Sequence, residues 1–160
     1  MQESELHEKY MRVAIALSEQ NVEKGEGGPF GAVIVKDGKI IAQSANTVTT
    51  SNDPTAHAEV SAIRLAAKAL GTFDLSGCTI YTSCEPCPMC LGAIYWARIS
   101  KMYYANTRIE AQEIGFDDNF IYQELELPTN ERSLPAEQIL NKEASRAFSM
   151  WTNSEKKVHY

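Results

Sequence analysis

The sequence predicts a single three-layer α/β domain over residues 1–160, on two observations. Segments with helical apolar spacing alternate with short β-branched runs along the 160 residues. The first two of these runs are joined by Asp37-Gly38, whereas the last two are joined by a helical segment, which predicts both antiparallel and parallel pairing. No repeat or long Pro/Gly/Ser linker divides the chain, so we expect one core.

The first helix is predicted over residues 5–23. Its apolar residues, among them Tyr10 and Leu17, recur near helical spacing, and the breaker Gly27-Gly28-Pro29 follows it. Two strands are predicted next, over Gly31 to Val35 and Lys39 to Gln43. Asp37-Gly38 tolerates the positive φ angles of a tight hairpin, so these strands should be antiparallel.

A second helix is expected after the polar segment 46–52. Asp53-Pro54-Thr55 offers a capping side chain and a proline that suits a first helical turn. Gly71 is placed to end this helix after about Leu70.

The next predicted elements form a strand–helix–strand unit. Residues 78–83 form an apolar strand, 84–88 a loop, 88–97 a helix and 101–105 a fourth strand. A helical connection implies parallel, right-handed packing of the two strands. Further helices are predicted over 117–126 and 137–151, with prolines between them.

Composition excludes several classes of protein. The hydrophobic fraction is 44% and the net charge is −6, which is typical of a soluble globular protein and argues against a strongly basic nucleic-acid binder. No apolar stretch reaches the roughly 20 residues of a membrane span. The acidic N-terminus lacks the features of a signal peptide, so we expect a cytoplasmic protein.

The most specific motif pairs His57-Ala58-Glu59 with Pro86-Cys87-Pro88-Met89-Cys90, each at a predicted helix start. This pairing matches the HxE and PCxxC signature of zinc deaminases. Cys87 and Cys90 are three residues apart, so their sulfurs share one helical face, where the positive helix end favours thiolates.

His57 would supply a third zinc ligand and leave one position for water, as in catalytic zinc sites. Zinc can lower the pKa of that water to about 7. Glu59 cannot share a helical face with His57, so the zinc must lie at the helix tip for both to reach it. Glu59 would then take the proton of the water and return it to a ring nitrogen before ammonia leaves.

The same residues are also compatible with simpler roles. His57-Ala58-Glu59 alone is typical of an ordinary helix start. The spacing of Cys84, Cys87 and Cys90 resembles the opening of an iron–sulfur motif, but Ile94 stands where the fourth cysteine is needed. A structural zinc site with all four positions filled, by His57, Cys84, Cys87 and Cys90, is a further alternative. Cys78 is expected to be a buried strand residue.

At these motifs the chain resembles the cytidine deaminase superfamily, and within it the bacterial guanine deaminases. Flanking segments carry the closer resemblance: residues 27–31, 46–57, 83–98 and 115–118. The resemblance implies a cytidine-deaminase-like α/β/α fold with a mixed sheet of about five strands. It also implies one Zn2+ per subunit and hydrolytic conversion of guanine, a small-molecule purine, to xanthine and ammonia.

The resemblance also implies roles for individual residues. Asn46 would hydrogen-bond the purine, Phe30 would stack on it, and Ala58 and Trp96 would help form the pocket. Asp118 would be a second proton shuttle, serving the leaving amino group. From the residues alone, Phe30 and Trp96 are more often core aromatics than ligand contacts, Asn46 suits a turn, and Asp117 or Asp118 suits a helix cap.

A homodimer is a further implication of the resemblance. Residues 142–160 would form a lid exchanged between subunits, placing Tyr160 near the partner's active site. A frayed terminus is the ordinary alternative for such a segment.

Three other functions are open at this stage. A tRNA adenosine deaminase shares the zinc motif but needs a basic surface for RNA, and Arg98, Lys101 and Arg108 form only a thin cluster. Another base or nucleoside deaminase would differ only in the shape of its pocket. In a non-catalytic zinc-stabilised binding module, Glu59→Gln would have no effect.

Overall fold

The computed structural model describes residues 3–160, which contain seven α-helices, one 3-10 turn and four strands. In chain order the elements are α1 Glu3–Glu23, β1 Gly31–Lys36, β2 Lys39–Ala45, α2 Val48–Ser51, α3 Ala58–Leu70, β3 Cys78–Cys84, α4 Pro88–Trp96, β4 Lys101–Asn106, α5 Arg108–Glu113, α6 Asp118–Glu126, the 3-10 turn Thr129–Glu131 and α7 Asn141–Thr152. Two compact units divide the chain, one ending at Asn119 and the other comprising Phe120–Tyr160.

The sheet has the order β2-β1-β3-β4 and is mixed, because β1 is antiparallel to β2 and β3 whereas β3 and β4 are parallel. This confirms the α/β class and the predicted pairings. The expected count of about five strands is wrong, because residues 3–160 form four. After β4, Thr107 and Glu110 form a reciprocal capping box that starts α5, where a fifth strand would have needed extended backbone.

The hairpin between β1 and β2 follows from its two turn residues. Asp37 has a φ of 49° and Gly38 a φ of 73°, both in the left-handed region. Two such residues give the turn whose twist matches that of antiparallel strands, and Lys36 pairs with Lys39 directly across it.

Both faces of the sheet are covered, which confirms the three-layer architecture. One face packs against α1 through the buried residues Tyr10, Ala14, Val33, Val35 and Tyr81. The opposite face packs against α3 and α4 through the buried residues Ala32, Ile34, Ala62, Ala66, Ile80 and Ile94. Alternate residues of β1 therefore point into two apolar layers, and each large buried side chain contributes about 1.5–3 kcal/mol of stabilisation.

The helix expected to begin near Asp53 begins instead at Ala58. The Asp53 carboxylate accepts hydrogen bonds from the main-chain N–H of Thr55 at 2.8 Å and from its hydroxyl at 2.7 Å. This local turn competes with the helix and moves its start, so that His57 becomes the N-cap. Gly71 ends the helix with a φ of 66°, as predicted.

The second unit, Phe120–Tyr160, contains no strand. Its helix α7 begins at Asn141, later than predicted, and has no buried residue. Phe148 and Met150 are 80% and 64% exposed, so this helix presents apolar surface. Within residues 3–160 no helix combines the length and the apolar character that crossing a membrane requires.

Candidate metal centre and active site

The N-terminal ends of α3 and α4 supply the three potential metal ligands. His57 is the N-cap of α3 and Cys87 the N-cap of α4, where the Cys87 sulfur accepts a hydrogen bond from the Cys90 N–H. Pro88 suits the first position of α4 because it has no N–H to satisfy there. Both helix ends carry partial positive charge, which favours a negatively charged group beside them.

The three donor atoms are spaced as zinc requires. The Nδ1 atom of His57 lies 3.5 Å from the sulfur of Cys87 and 3.5 Å from that of Cys90. Tetrahedral bonds of about 2.3 Å to sulfur and about 2.0 Å to nitrogen place such atoms about 3.5 Å apart. Two thiols and one imidazole within 4.8 Å of one another therefore fit one Zn2+.

The two cysteines differ in protonation without a metal. A hydrogen bond from the Cys90 thiol lowers the pKa of Cys87 to about 4, and the same contact raises the pKa of Cys90. The contact with Cys87 also raises the pKa of His57. One thiolate, the metal-binding form of cysteine, is thus favoured at Cys87.

Glu59 lies beside these donors and is buried, with 5% of its surface exposed. One carboxylate oxygen lies 3.1 Å from the Thr82 hydroxyl, which shares its single hydrogen between Glu59 and the main-chain oxygen of Cys84 at 2.9 Å. The other carboxylate oxygen lies 3.4 Å from the Cys90 sulfur. Burial raises the pKa of Glu59 above its ordinary value. A carboxyl group with a raised pKa can accept and return a proton near neutral pH.

A cavity of about 270 Å³ opens onto the donor cluster, and its lining includes Phe30, Asn46, Glu59 and Asp118. Burial raises the pKa of Asp118, which makes it a second group able to carry a proton. The ring of Phe30 packs edge-on against Phe116 at 4.8 Å. The cavity combines apolar walls with a few polar groups, as small-molecule sites do.

Asn46 is 6% exposed, and its orientation is fixed by a turn at the end of β2. Its side-chain Oδ1 accepts a hydrogen bond from the Val48 N–H at 3.2 Å. The Nδ2 amino group is therefore the polar end left to meet a ligand, and it is a donor.

Two residues named from the resemblance do not line this cavity with their side chains. Ala58 is fully buried in the core beneath it, so only its main-chain N–H, in the first turn of α3, faces the helix end. Trp96 is 67% exposed at the end of α4 and lies in a separate surface depression with Tyr95 and Arg98. Tyr160 belongs to the second unit, and its role stays a prediction.

Cys84 does not belong to the donor cluster found among residues 3–160. Its sulfur lies 3.7 Å from the carbonyl oxygen of Thr107, and burial raises its pKa to about 12. Because the Cys84 sulfur lies outside the cluster of three donors, the geometry argues against a structural site with four protein ligands. Cys78 is fully buried in β3, as predicted.

Thr82, Glu85 and Phe116 are part of the site but were not identified from the sequence. Glu85 lines the cavity and accepts a hydrogen bond from the Arg108 N–H at 3.0 Å. In the sequence, the position of Glu85 directly before the PCxxC motif could have identified it as a residue of the site. Thr82 carries no such signal, because only the packing of β3 beside α3 brings its hydroxyl to Glu59.

Comparisons with known proteins agree with this site. The guanine deaminase of Bacillus subtilis strain 168 is 55% identical over 154 residues, which cover 96% of this chain and 99% of that protein. The X-ray structure of guanine deaminase from Bacillus subtilis superposes with a TM-score of 0.93 and covers 96% of this chain and 98% of that one.

A tRNA-specific adenosine deaminase of Agrobacterium fabrum strain C58 is 45% identical over 95 residues, covering 59% of this chain and 62% of that protein. Residues 4–106 match the family described as cytidine and deoxycytidylate deaminase zinc-binding region. This match spans well over half of the sequence and includes His57, Glu59, Cys87 and Cys90. The chain therefore belongs to the cytidine and deoxycytidylate deaminase family that carries this zinc-binding region.

Proposed function

We propose that this protein is a zinc-dependent guanine deaminase, which converts guanine and water to xanthine and ammonia. The observation that carries the proposal is the opening of the His57, Cys87 and Cys90 cluster into a cavity that also contains Glu59 and Asp118. Guanine is favoured as the substrate because a guanine deaminase is 55% identical over 96% of the chain, whereas tRNA-specific adenosine deaminases are 45% identical over 59% of it or 35% identical over 97% of it.

The cofactor is Zn2+, with one ion per subunit. His57, Cys87 and Cys90 would hold it. When bound, zinc supplies a water molecule that is acidic enough to be activated at neutral pH. Three protein ligands leave the fourth position open, which is the arrangement of catalytic zinc sites.

Glu59 is the main proton carrier in this proposal. It accepts a proton as the oxygen of water bonds to the ring carbon that bears the exocyclic amine, and returns it to the adjacent ring nitrogen. Thr82 contacts one of its oxygens and shares its hydroxyl hydrogen with the Cys84 carbonyl, and this contact would help to orient the carboxylate. Asp118, on the same cavity, gives a proton to the amino group, the carbon–nitrogen bond breaks and ammonia leaves, while the hydroxyl group on that carbon becomes the carbonyl and its proton restores the Asp118 carboxyl.

In this proposal the purine is bound by Phe30, Asn46 and Ala58. Phe30 is braced by Phe116 and offers an aromatic face or edge to a flat ring. The Nδ2 group of Asn46 would donate to an acceptor atom of the purine, and the N–H of Ala58 would donate from the end of α3.

The enzyme would act in the cytoplasm as a homodimer. Trp96, Phe148 and Trp151 are large apolar residues that remain exposed on the single chain, and association with a second copy would cover such surface. In the dimer, residues 142–160 would form the exchanged lid, and Trp96 and Tyr160 would complete a pocket.

Ammonia release tests the proposal directly. Zinc-loaded protein would be assayed with guanine, guanosine, adenine, cytosine and cytidine, and Glu59→Gln would serve as the blank. We expect turnover of guanine, and a loss of about 100-fold or more in the variant with zinc retained. Turnover of another base instead of guanine would show that the other base is the substrate. An inactive wild-type protein with stoichiometric zinc would favour a non-catalytic zinc module.

A further inference from the structure

Asn21, in the last turn of α1, is a buried polar residue that no catalytic step above uses. It is 3% exposed. Its Nδ2 amino group donates to the main-chain oxygen of Gly28 at 2.7 Å and to that of Asn46 at 2.8 Å. Because both partners are carbonyl oxygens, which only accept, the orientation of the amide is determined and both of its hydrogens are used.

The two carbonyl groups belong to two different walls of the cavity. Gly28 lies in the loop that leads to Phe30, and Asn46 directly follows β2. The same walls are joined directly, because the Phe30 N–H donates to Gly28 at 2.8 Å and the Asn46 N–H donates to Phe30 at 3.1 Å. Asn21 therefore closes a ring of four hydrogen bonds that passes through all three lining residues.

Gly27 shows how tightly this ring is packed. A Cβ atom at Gly27 would overlap the main-chain oxygen of Asn46 and would lie 3.0 Å from the Nδ2 atom of Asn21. The φ angle of Gly27 is not in the positive range, so its backbone conformation suits any amino acid. Only the close approach to Asn21 and Asn46 requires glycine here.

We infer that Asn21 is a positioning residue that sets the distance between Phe30 and Asn46 and thereby the affinity for the purine. The inference rests on the proposed function, since it assigns Phe30 and Asn46 to the substrate. Asn21 does not line the cavity itself and acts through these two residues. The proton carriers and zinc ligands lie on other elements, so a defect at Asn21 should weaken binding more than the chemical step.

Two variants disturb the ring from opposite sides. Asn21→Asp keeps the shape of the side chain but sets a carboxylate oxygen against two carbonyl oxygens. Gly27→Ala pushes on the Asn46 carbonyl from the loop. The control is Ser18→Ala, one turn earlier on α1, where the buried hydroxyl bonds only to Ile15 of its own helix at 2.7 Å.

The measurements are KM and kcat for guanine, zinc content and unfolding temperature of each variant. We expect KM to rise about tenfold in Asn21→Asp and Gly27→Ala, with kcat and zinc content close to wild type, because an interaction shared by ground and transition states is weakened. Ser18→Ala should keep the wild-type KM. If Asn21→Asp does not fold, Gly27→Ala decides the outcome.

An unchanged KM in Gly27→Ala, or equal losses of kcat and zinc in the folded variants, would overturn the role of Asn21. Guanine binding is measured independently by calorimetry in a Glu59→Gln background, where substrate is not consumed. Wild-type protein that neither binds nor turns over guanine would overturn the proposed function, and the inference with it. Guanine binding that is insensitive to Asn21→Asp would overturn the inference alone.

Discussion

The carboxylate of Glu59 lies 3.4 Å from the sulfur of Cys90, although the two residues belong to different helices. Glu59 is in the first turn of α3 and Cys90 in the first turn of α4, so the contact exists only because the two helix ends converge. It places the proton carrier within reach of a water molecule on the ion that Cys90 would bind. Thr82 holds the other side of the same carboxylate.

Thr82→Val should lower kcat for guanine by about tenfold, with little change in zinc content. Valine has the same shape as threonine but lacks the hydroxyl that contacts Glu59 and the Cys84 carbonyl, and a hydrogen bond to a charged group is worth about 1.5–3 kcal/mol. Steady-state kinetics and zinc analysis measure the effect. Thr79→Val, on the same strand and outside the site, is the matched control. An unaltered kcat would show that Glu59 does not depend on this hydroxyl.

Asp118→Asn should lower kcat by about 100-fold, because an amide cannot supply a proton to the leaving amino group. The variant should still bind zinc and guanine. Asp117→Asn tests the specificity of the effect, since the neighbouring aspartate does not line the cavity. Equal activity losses in both variants would contradict the assignment to Asp118.

Zinc content should distinguish Cys90 from Cys84. Cys90→Ala removes one of three ligands and should leave almost no bound zinc after dialysis, whereas Cys84→Ala should retain one ion per chain. Burying a smaller side chain at Cys84 should cost about 1 kcal/mol of stability. Atomic emission analysis of both proteins provides the test, and zinc loss from Cys84→Ala would restore a four-ligand structural site.

Zinc affinity should fall as the pH falls. Contact with Cys87 raises the pKa values of Cys90 and His57 without metal, which favours their protonated forms, and zinc must displace these protons to bind. Each displaced proton weakens apparent affinity by about tenfold for every unit by which the pH drops below the pKa of that group. Competition with a chromophoric chelator at pH 6, 7 and 8 measures the slope. A pH-independent affinity would mean that the ligands are already deprotonated.

Deletion of residues 158–160 tests the lid. If Tyr160 closes the partner's pocket, the truncated protein should lose most of its guanine turnover without releasing zinc. Sedimentation of the full-length and truncated proteins reports whether each forms the proposed dimer. Wild-type turnover by the truncated protein would remove Tyr160 from the active site.

Elements defined by neighbouring residues were predictable from the sequence. Asp37 and Gly38 form their hairpin, and Gly71 ends its helix, because these residues favour positive φ by themselves. The start of α3 was predicted too early, since the Asp53 side chain satisfies the backbone of Thr55 in a turn that competes with a helix. Propensity alone does not decide between these two local arrangements.

The sequence by itself predicted the chemistry that we propose, because the HxE and PCxxC spacings identify the candidate metal ligands and the candidate proton carrier wherever two helix starts can meet. Tertiary structure alone decided that Thr82 orients Glu59, that Cys84 stays outside the metal cluster, and that Asn21 joins two walls of the cavity. These contacts link residues far apart in the chain. They depend on the packing of helices against a shared sheet, which no local pattern specifies.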